Sequence, residues 1–426
     1  MTFDRRTQSR RAIEALRSGV PNQDAVQALG SSQTELENKF RQQLKEARDQ
    51  FHQGRQSSGT LIAGDFGAGK SHLLEYFKHI ALAENFVCSK VVISKETPFH
   101  HPAKLYRAAI EAATVPGKRG AALTEIAARL DYGSPAYAEL YKWADSTGVG
   151  ISSRFPATLY LHEYARRDEE IRDRIVRFWA GDPINASELR RYLRDLGETV
   201  TYKIDKVSVN ELALQRYLFI PQLIVAAGYS GWVLLVDEAE LIGRYSLRQR
   251  ARSYAEVARL TGKLEGLSLP GLTCVISMSQ DFQSAVMDFR NDEERIPAKF
   301  QSTGDQADSL LASQAERGMQ LIRREAVVLD RLSADAIHDT YDKVRAVYAA
   351  AYGWEPPADY SPPDITARIR QHVKRWITEW DLTRLYPDYR PQIETGELKQ
   401  DYAEMPELEQ PTEGSPEEKR ECGQDE

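Results

Sequence analysis

The residue run that could do the most chemistry is Gly64-Asp65-Phe66-Gly67-Ala68-Gly69-Lys70-Ser71, which fits the pattern G-x-x-x-x-G-K-[ST]. Glycines allow backbone N–H groups to curl around phosphate oxygens, and a following helix adds the positive end of its dipole. In this arrangement Lys70 would reach the β- and γ-phosphates, and Ser71 would hold Mg²⁺. The motif therefore predicts that residues 64–71, with the adjoining His72, bind ATP and its magnesium ion.

The segments on either side of this phosphate loop have the pattern that such a loop requires. Residues 59–63 are a short apolar run, which predicts a buried strand. Residues 72–80 place apolar side chains on one face of a predicted helix. Because a strand, a glycine-rich loop and a helix occur in this order, the motif predicts a binding site.

A second half of the site is predicted at Val233-Leu234-Leu235-Val236-Asp237-Glu238. The apolar residues indicate a buried strand whose carboxyl end carries two acids, and that end faces the ligand crevice in an open parallel sheet. Asp237 would hold Mg²⁺, and Glu238 would orient and deprotonate the attacking water. A strand that ends at a solvated acidic turn is the alternative, but the phosphate loop upstream favours the magnesium interpretation.

Three more apolar runs, at 87–93, 272–278 and 326–329, predict strands and place the chain in the α/β class. All five runs are short, as expected of a parallel sheet that is covered on both faces. Polar residues follow the run at 272–278, and among them Ser279 is expected to approach the γ-phosphate or the attacking water. Helix capping is the alternative role for Ser279.

The rest of the chain is predicted to be mainly helical, and we expect four regions. They are an N-terminal helical segment that lines the nucleotide site (1–52), an ATPase core (53–330), a helical C-terminal lid (331–400) and a disordered acidic tail (401–426). The core would carry a helical insertion at about 95–230, because about 135 residues separate its second and third strands. The tail holds ten acidic and two basic residues, which is typical of disorder.

The composition excludes several classes of protein. The chain has no run of 18 apolar residues that would cross a membrane, and its first residues lack the apolar region of a secretory signal. Three scattered cysteines argue against a disulfide framework and favour the cytoplasm. No cysteine or histidine pair has the spacing of a zinc site, so we expect no metal besides Mg²⁺.

Three segments carry a resemblance to a known family: RAIEALRSGVPN at 11–22, GAGKSHLL at 67–74 and RWITEWDL at 375–382. With the phosphate loop and the acidic strand end, they resemble AAA+ ATPases of the origin-recognition/Cdc6-like branch. More narrowly, the chain is similar to the BrxD family of ATP-binding proteins of BREX phage-defence systems, over residues 8 to about 392. The resemblance implies a P-loop NTPase fold with strand order 5-1-4-3-2 and ATP bound between the sheet and the lid.

The resemblance also implies roles for residues outside the two motifs. The segment before the phosphate loop lines the adenine pocket in such proteins, which points to Val20 and Pro21, with a plain turn as the alternative. Arg370 would be the lid arginine that acts on the phosphate of its own subunit. Arg290 and Arg295 are candidates for the arginine that reaches a neighbouring subunit's nucleotide. A solvated loop with local ion pairs is the alternative for both.

We therefore expect a cytoplasmic ATPase that couples ATP binding and hydrolysis to remodelling or loading of a partner on DNA. By resemblance, the partner would be a helicase or another BREX component, the chain would self-associate, and turnover would be slow or dependent on the partner. Basic residues interleaved with tryptophans at 368–384 suit DNA, whereas a buried helix face is the alternative.

Three rival functions stay open at this point. One is an ATP-gated assembly switch with slow turnover, and another is a DNA-binding module without motor activity. The third is a DEAD-like helicase, which Asp237-Glu238-Ala239-Glu240 would fit. About 95 residues follow Asp330, too few for the second domain that such a helicase needs.

Overall fold

A six-stranded sheet is the centre of the computed structural model. The structure describes residues 2–118, 120–165, 168–197, 202–204, 206–330, 333–358 and 369–388, and the predicted acidic tail at 401–426 lies outside them. The strands are β1 (Thr60–Ala63), β2 (Val87–Val92), β3 (Ala113–Thr114), β4 (Trp232–Asp237), β5 (Leu272–Met278) and β6 (Val327–Val328). The mixed α/β class predicted from the sequence is confirmed.

The strands lie in the order β3-β2-β4-β5-β1-β6, and all neighbours are parallel except β3, which is antiparallel to β2. The predicted order, 5-1-4-3-2, is wrong as stated because it omits β3. This edge strand pairs only Ala113 and Thr114 with β2, so it is too short to leave an apolar pattern in the sequence. Among the other strands, β1 lies between β5 and β6, and β4 lies between β2 and β5.

Helices cover both faces of the sheet. Those before the insertion are α1 (Thr2–Ser18), α2 (Gln23–Leu29), α3 (Thr34–Asp49) and α4 (Lys70–Ala83). The insertion contains α5 (Pro102–Glu111), α6 (Ala122–Ala128), α7 (Pro135–Ala144), α8 (Arg154–Tyr164), α9 (Glu169–Ala180), α10 (Ala186–Asp195) and α11 (Val209–Ala226). After β4 come α12 (Leu247–Leu260), α13 (Asp292–Gln301), α14 (Gln306–Glu325), α15 (Ala334–Tyr352) and α16 (Ile369–Leu385).

The helical pattern at 156–180 predicts a single helix, whereas the structure has two helices there. α8 ends at Tyr164, and α9 begins after Asp168, whose side chain accepts a hydrogen bond from the Ile171 N–H at 3.0 Å. An aspartate cap of this kind satisfies a backbone donor that the first turn leaves open, and it fixes a new helix start. No described helix is long and apolar enough to span a membrane.

Successive side chains along each strand point to opposite faces of the sheet, and both faces carry apolar side chains. On one face Ile62, Val233 and Val275 pack with α3 and α4. On the other face Leu234 and Ile276 join a larger cluster with the insertion and with α12 and α14. Both faces of β4 and β5 are buried, which fits their continuous apolar runs.

Helices from the two ends of the described chain share a separate apolar cluster. Residues at helical spacing in α1 and α2 meet residues of α15 and α16, including Ile13, Leu16, Tyr348, Trp376 and Trp380. We call these four helices the lid bundle. The two tryptophans are buried in it, which supports the buried-face interpretation of α16 over stacking on DNA bases.

Polar contacts reinforce the lid bundle. Arg17 of α1 forms an ion pair with Asp381 of α16 at 2.7 Å, and Tyr348 of α15 donates a hydrogen bond to the same carboxylate at 2.8 Å. By contrast, α3 packs on the sheet through Leu36 and Phe40. The N-terminal segment predicted as one region thus packs in two places, and the four-region division itself stays a prediction.

A buried histidine lies in the insertion. Nδ1 of His162 in α8 and the Tyr132 hydroxyl form a hydrogen bond at 2.9 Å, and the His162 ring centroid lies 4.9 Å from that of Trp179. Burial, with a smaller contribution from the charge of Arg172, lowers the pKa of His162 to about 4. The neutral imidazole therefore stabilises the fold above its ordinary pKa, and this stability is lost as the pH falls toward 4.

We predict that replacing His162 removes part of the acid sensitivity of the fold. Between pH 7 and pH 5 the wild type should lose about 2 kcal/mol through this residue, because the unfolded chain takes up the proton and the folded chain does not. Urea unfolding of His162→Asn at both pH values should show a shallower loss. His52→Asn, at an exposed histidine, is the control, and equal pH slopes for all three proteins would contradict this account.

Candidate functional site

A cleft lies where the phosphate loop faces the lid bundle. Its walls are the loop and the start of α4, the end of β4, the stretch from the end of α1 to Gln33, and parts of α15 and α16. The cleft brings together most of the residues predicted from sequence, namely Pro21, Phe66, Gly67, Ala68, Gly69, Lys70, Ser71, His72, Asp237, Glu238 and Arg370. Residues far apart in the sequence thus share one concave surface.

The phosphate loop connects β1 to α4 by a turn that needs glycine. Gly67 and Gly69 have φ values of +83° and +100°, which side chains with a Cβ rarely adopt. The Lys70 ammonium is nearly buried and donates to the carbonyl oxygens of Gly64 at 2.7 Å and Asp65 at 3.2 Å. Because Gly69 offers no side chain as a cap, the first N–H groups of α4 are available to an anion.

The acidic end of β4 is held in place by its neighbour. The Asp237 carboxylate is buried and accepts hydrogen bonds from the Ser277 hydroxyl at 2.7 Å and from the Glu238 N–H at 3.1 Å. Sequence reasoning singled out Ser279 and missed Ser277. The parallel register, which pairs Val236 with Ile276, places Ser277 beside Asp237, and aligning the two strand ends would have found it.

Glu238 has an unusual backbone. Its φ of +60° lies in the left-handed region, which is uncommon for residues other than glycine, asparagine and aspartate and is enriched at functional sites. Partial burial raises the pKa of its carboxyl group, as do Asp237 and Glu240, whereas Lys70 and Arg370 lower it. Glu238 thus lies in the cleft between acidic and basic groups.

His72 joins the phosphate loop to the lid bundle. Its Nε2–H donates to the carbonyl oxygen of Gly30, at the end of α2, over 2.8 Å. Burial lowers the pKa of His72, which favours the neutral ring, while the Gly30 carbonyl and Glu75 act in the opposite direction and Lys90 in the same one. The sequence pointed to His72 only as a nucleotide contact, because nothing local shows its partner 42 residues earlier.

Six predicted site residues do not line this cleft, including Gly64 and Asp65 at the start of the phosphate loop. Val20 is 66% exposed outside it, although the adjacent Pro21 lines it, and Ser279 is buried elsewhere. Arg290 and Arg295 lie on a corner beyond β5, where Arg295 donates to the Arg290 carbonyl oxygen at 3.3 Å. Their predicted role concerns a neighbouring subunit, so their place outside this cleft leaves that role a prediction.

The corner that carries these two arginines is rigidly supported. Arg250 of α12 forms a bidentate ion pair with Asp292 at the start of α13, with both N–O distances at 2.8 Å and both side chains buried. Arg323 of α14 bonds to Asp288 at 2.6 Å and to Glu293 at 2.8 Å. A charge pair this well buried is costly to break, so the corner keeps its shape.

Sequence reasoning missed the lid residues that close the cleft. They include Leu16, Leu29, Thr340, Lys343, Ile369 and Val373. Lys343 donates to the Leu29 carbonyl oxygen at 3.2 Å, which ties α15 to the end of α2. A helical pattern shows that these residues share faces of their helices, but it does not show that one end of a face borders a ligand site.

The family comparison agrees with this geometry. The family model described as BREX system ATP-binding protein BrxC/D matches residues 5–130 and 156–380. The chain belongs to this family. The match includes the phosphate loop, the acidic end of β4 and all four helices of the lid bundle, with only the ends of α1 and α16 left out. No curated protein matches the chain.

Membership of the BrxC/D family confirms two predictions, namely that the protein binds ATP and that it belongs to a BREX system. The narrower likeness to BrxD, the AAA+ branch and the residue roles stay predictions. ATP has three phosphates and a purine base. The cleft offers a phosphate loop at one end and, at the other, apolar side chains of the lid bundle.

We predict that the hydrogen bond between His72 and Gly30 strengthens ATP binding. His72→Ala should raise the Kd for ATP about tenfold, because it leaves the Gly30 carbonyl without its donor and loosens the lid bundle against the loop. Titration calorimetry measures this change. His79→Ala, on the same helix, is the matched control, and an unchanged Kd for His72→Ala would contradict the prediction.

Proposed function

We propose that this BrxC/D-family protein is an AAA+-type ATPase that hydrolyses ATP to ADP and phosphate in the cleft between the phosphate loop and the lid bundle. The observation that carries this proposal is the meeting of four groups in one cleft. Lys70 and Ser71 come from the phosphate loop, and Asp237 and Glu238 come from the end of β4. Phosphoryl transfer needs mainly positioning and charge stabilisation, which these groups can supply.

Each residue has a role in the proposed reaction. The backbone of the loop and Lys70 bind the phosphates, and the lid bundle holds the base and ribose. Glu238 orients a water molecule and takes its proton as the water oxygen attacks the γ-phosphorus. The bond from the γ-phosphorus to the bridging oxygen breaks, and ADP leaves with that oxygen. Arg370, which lines the cleft, stabilises negative charge on the phosphates.

The donor atoms of the cleft fit Mg²⁺. The Ser71 hydroxyl and the fixed Asp237 carboxylate are hard oxygen ligands, which this ion prefers. No group of three metal-ligating acids, histidines or cysteines occurs in the part of the chain that the structure describes. Mg²⁺ is commonly held by one or two protein groups together with phosphates and water, so Ser71 and Asp237 would suffice. When bound, the ion would neutralise charge on the phosphate oxygens.

We propose that the protein self-associates, with Arg290 or Arg295 reaching the nucleotide of a neighbouring copy, and that it remodels or loads a partner on DNA. The rigid support of the corner at 288–295 favours a contact role for these arginines. A helicase or another BREX component is the proposed partner. The cytoplasmic location expected from the cysteine content also stays a prediction.

We predict that two variants separate binding from hydrolysis. Glu238→Gln should bind ATP with a Kd close to that of wild type. It should form ADP at least 100-fold more slowly, because it lacks the base. Lys70→Ala should lose most of its affinity for ATP, because the loop loses its only ammonium group. The Kd for ATP and the steady-state rate of ADP formation, each measured with and without DNA, show the two effects.

Glu265→Gln, at an exposed acid away from the cleft, is the control and should resemble wild type. Absence of turnover in wild type, with or without DNA, would exclude the motor and leave an ATP-gated assembly switch. Unchanged DNA binding and phage protection in Lys70→Ala would exclude an ATP-centred function altogether and favour a DNA-binding module.

A further inference from the structure

The C-terminus of α1 brings a glycine against the arginine of the cleft. α1 ends in a turn where the Gly19 N–H donates to the Leu16 carbonyl oxygen at 3.2 Å and the Val20 N–H donates to that of Ala15 at 3.0 Å. Gly19 has a φ of +75°, as is usual for a glycine that closes a helix. Its backbone and Arg370 both line the nucleotide cleft.

The Arg370 side chain occupies the space beside Gly19. A Cβ atom at Gly19 would lie 2.4 Å from Nε and 2.8 Å from Nη2 of Arg370, and 2.9 Å from Cε of Lys374. Real Cβ atoms essentially never approach other heavy atoms this closely. Any other residue at position 19 would therefore move the guanidinium group of Arg370 by several tenths of an ångström or more.

The guanidinium group also contacts the phosphate loop. Its Cζ lies 5.4 Å from the centre of the Phe66 ring in the phosphate loop, within the range of a cation–π contact. The Nε atom is buried and has no hydrogen-bond partner among the described residues. Contacts with Gly19 and Phe66, rather than a hydrogen bond at Nε, thus position the side chain in the wall of the cleft.

We propose that Gly19 is a positioning residue for Arg370, because the absence of a side chain at the end of α1 sets where the guanidinium group lies in the cleft. The inference rests on the proposed role of Arg370 at the phosphates of ATP. It extends that role to the N-terminal helix: a change in the position of α1 moves the arginine. Catalytic geometry requires positions to be held within about half an ångström, so a displaced guanidinium group stabilises the phosphates poorly.

Glycine at position 19 could be required only to end α1, rather than to leave room for Arg370. A second helix-ending glycine, with no described side chain beside it, distinguishes these two explanations. Gly353 closes α15 in the same lid bundle with a φ of +66°, and a Cβ atom there would meet no atom within 4 Å. Alanine at either position carries the same kind of cost, that of a left-handed backbone. Only alanine at position 19 also displaces Arg370.

The test compares Gly19→Ala and Gly353→Ala, each in wild type and in Arg370→Ala. Thermal unfolding of all variants measures the cost of the changed backbone. The Kd for ATP and the kcat/KM for ADP formation measure the effect on the site. We expect Gly353→Ala to stay within twofold of wild type in both site measurements. Gly19→Ala should lose at least tenfold in kcat/KM, as Arg370→Ala does. Added to Arg370→Ala, it should change kcat/KM by less than twofold, because no guanidinium is left to displace.

The double variant also tests for misfolding, since removal of the arginine removes the two shortest contacts and leaves only the flexible end of the Lys374 side chain near a Cβ atom at position 19. Equal effects of Gly19→Ala and Gly353→Ala would overturn the inference, as would a full tenfold loss that persists in the Arg370→Ala background. If Arg370→Ala itself turns ATP over like wild type, the inference falls together with the proposed role of that arginine. If Lys70→Ala also turns over like wild type, the proposed function fails as well.

Discussion

The apolar contact between the two ends of the described chain is the constraint on which the site depends. Burial of Ile13 and Leu16 against Trp376 and Trp380 joins α1 and α2 to α15 and α16, and the ion pair of Arg17 with Asp381 fixes their alignment. The phosphate loop alone would be an open surface. With the lid bundle above it, the loop becomes one wall of a cleft, and every group on the opposite wall is positioned by this packing.

Acidic and basic groups meet in the cleft. Burial raises the pKa of Glu238, as does repulsion from the Asp237 and Glu240 carboxylates, and Lys70 and Arg370 oppose that effect. Polyphosphate with a divalent cation suits such a site, because the phosphates meet the basic groups and the cation meets the acids. The arginine comes from the lid bundle and the lysine from the core. The electrostatics of the site therefore depend on how closely the bundle lies on the loop, which the hydrogen bond of His72 to Gly30 helps to fix.

The sequence predicts those parts of the site that short contiguous segments build. The phosphate loop and the end of β4 are visible in it because one run of residues carries both the strand and the reactive groups. Contacts between distant segments are not visible in the same way. The partner of His72, the pairing of Ser277 with Asp237 and the packing of α1 on α16 depend on which faces meet, and amphipathic patterns show a face without its partner. β3 and the division of α8 from α9 were missed because a two-residue strand and a single aspartate cap leave little pattern.

The proposed function places ATP in the cleft between the phosphate loop and a lid built from both ends of the described chain. Hydrogen exchange of the wild-type protein, measured with and without ATP and Mg²⁺, tests this position of the nucleotide. We expect ATP to slow exchange in three separate segments together: the loop and start of α4 at 64–74, the end of α1 through α2 at 15–30, and the start of α16 at 369–377. Protection of the loop without either lid segment, or no protection at all, would contradict the proposed position.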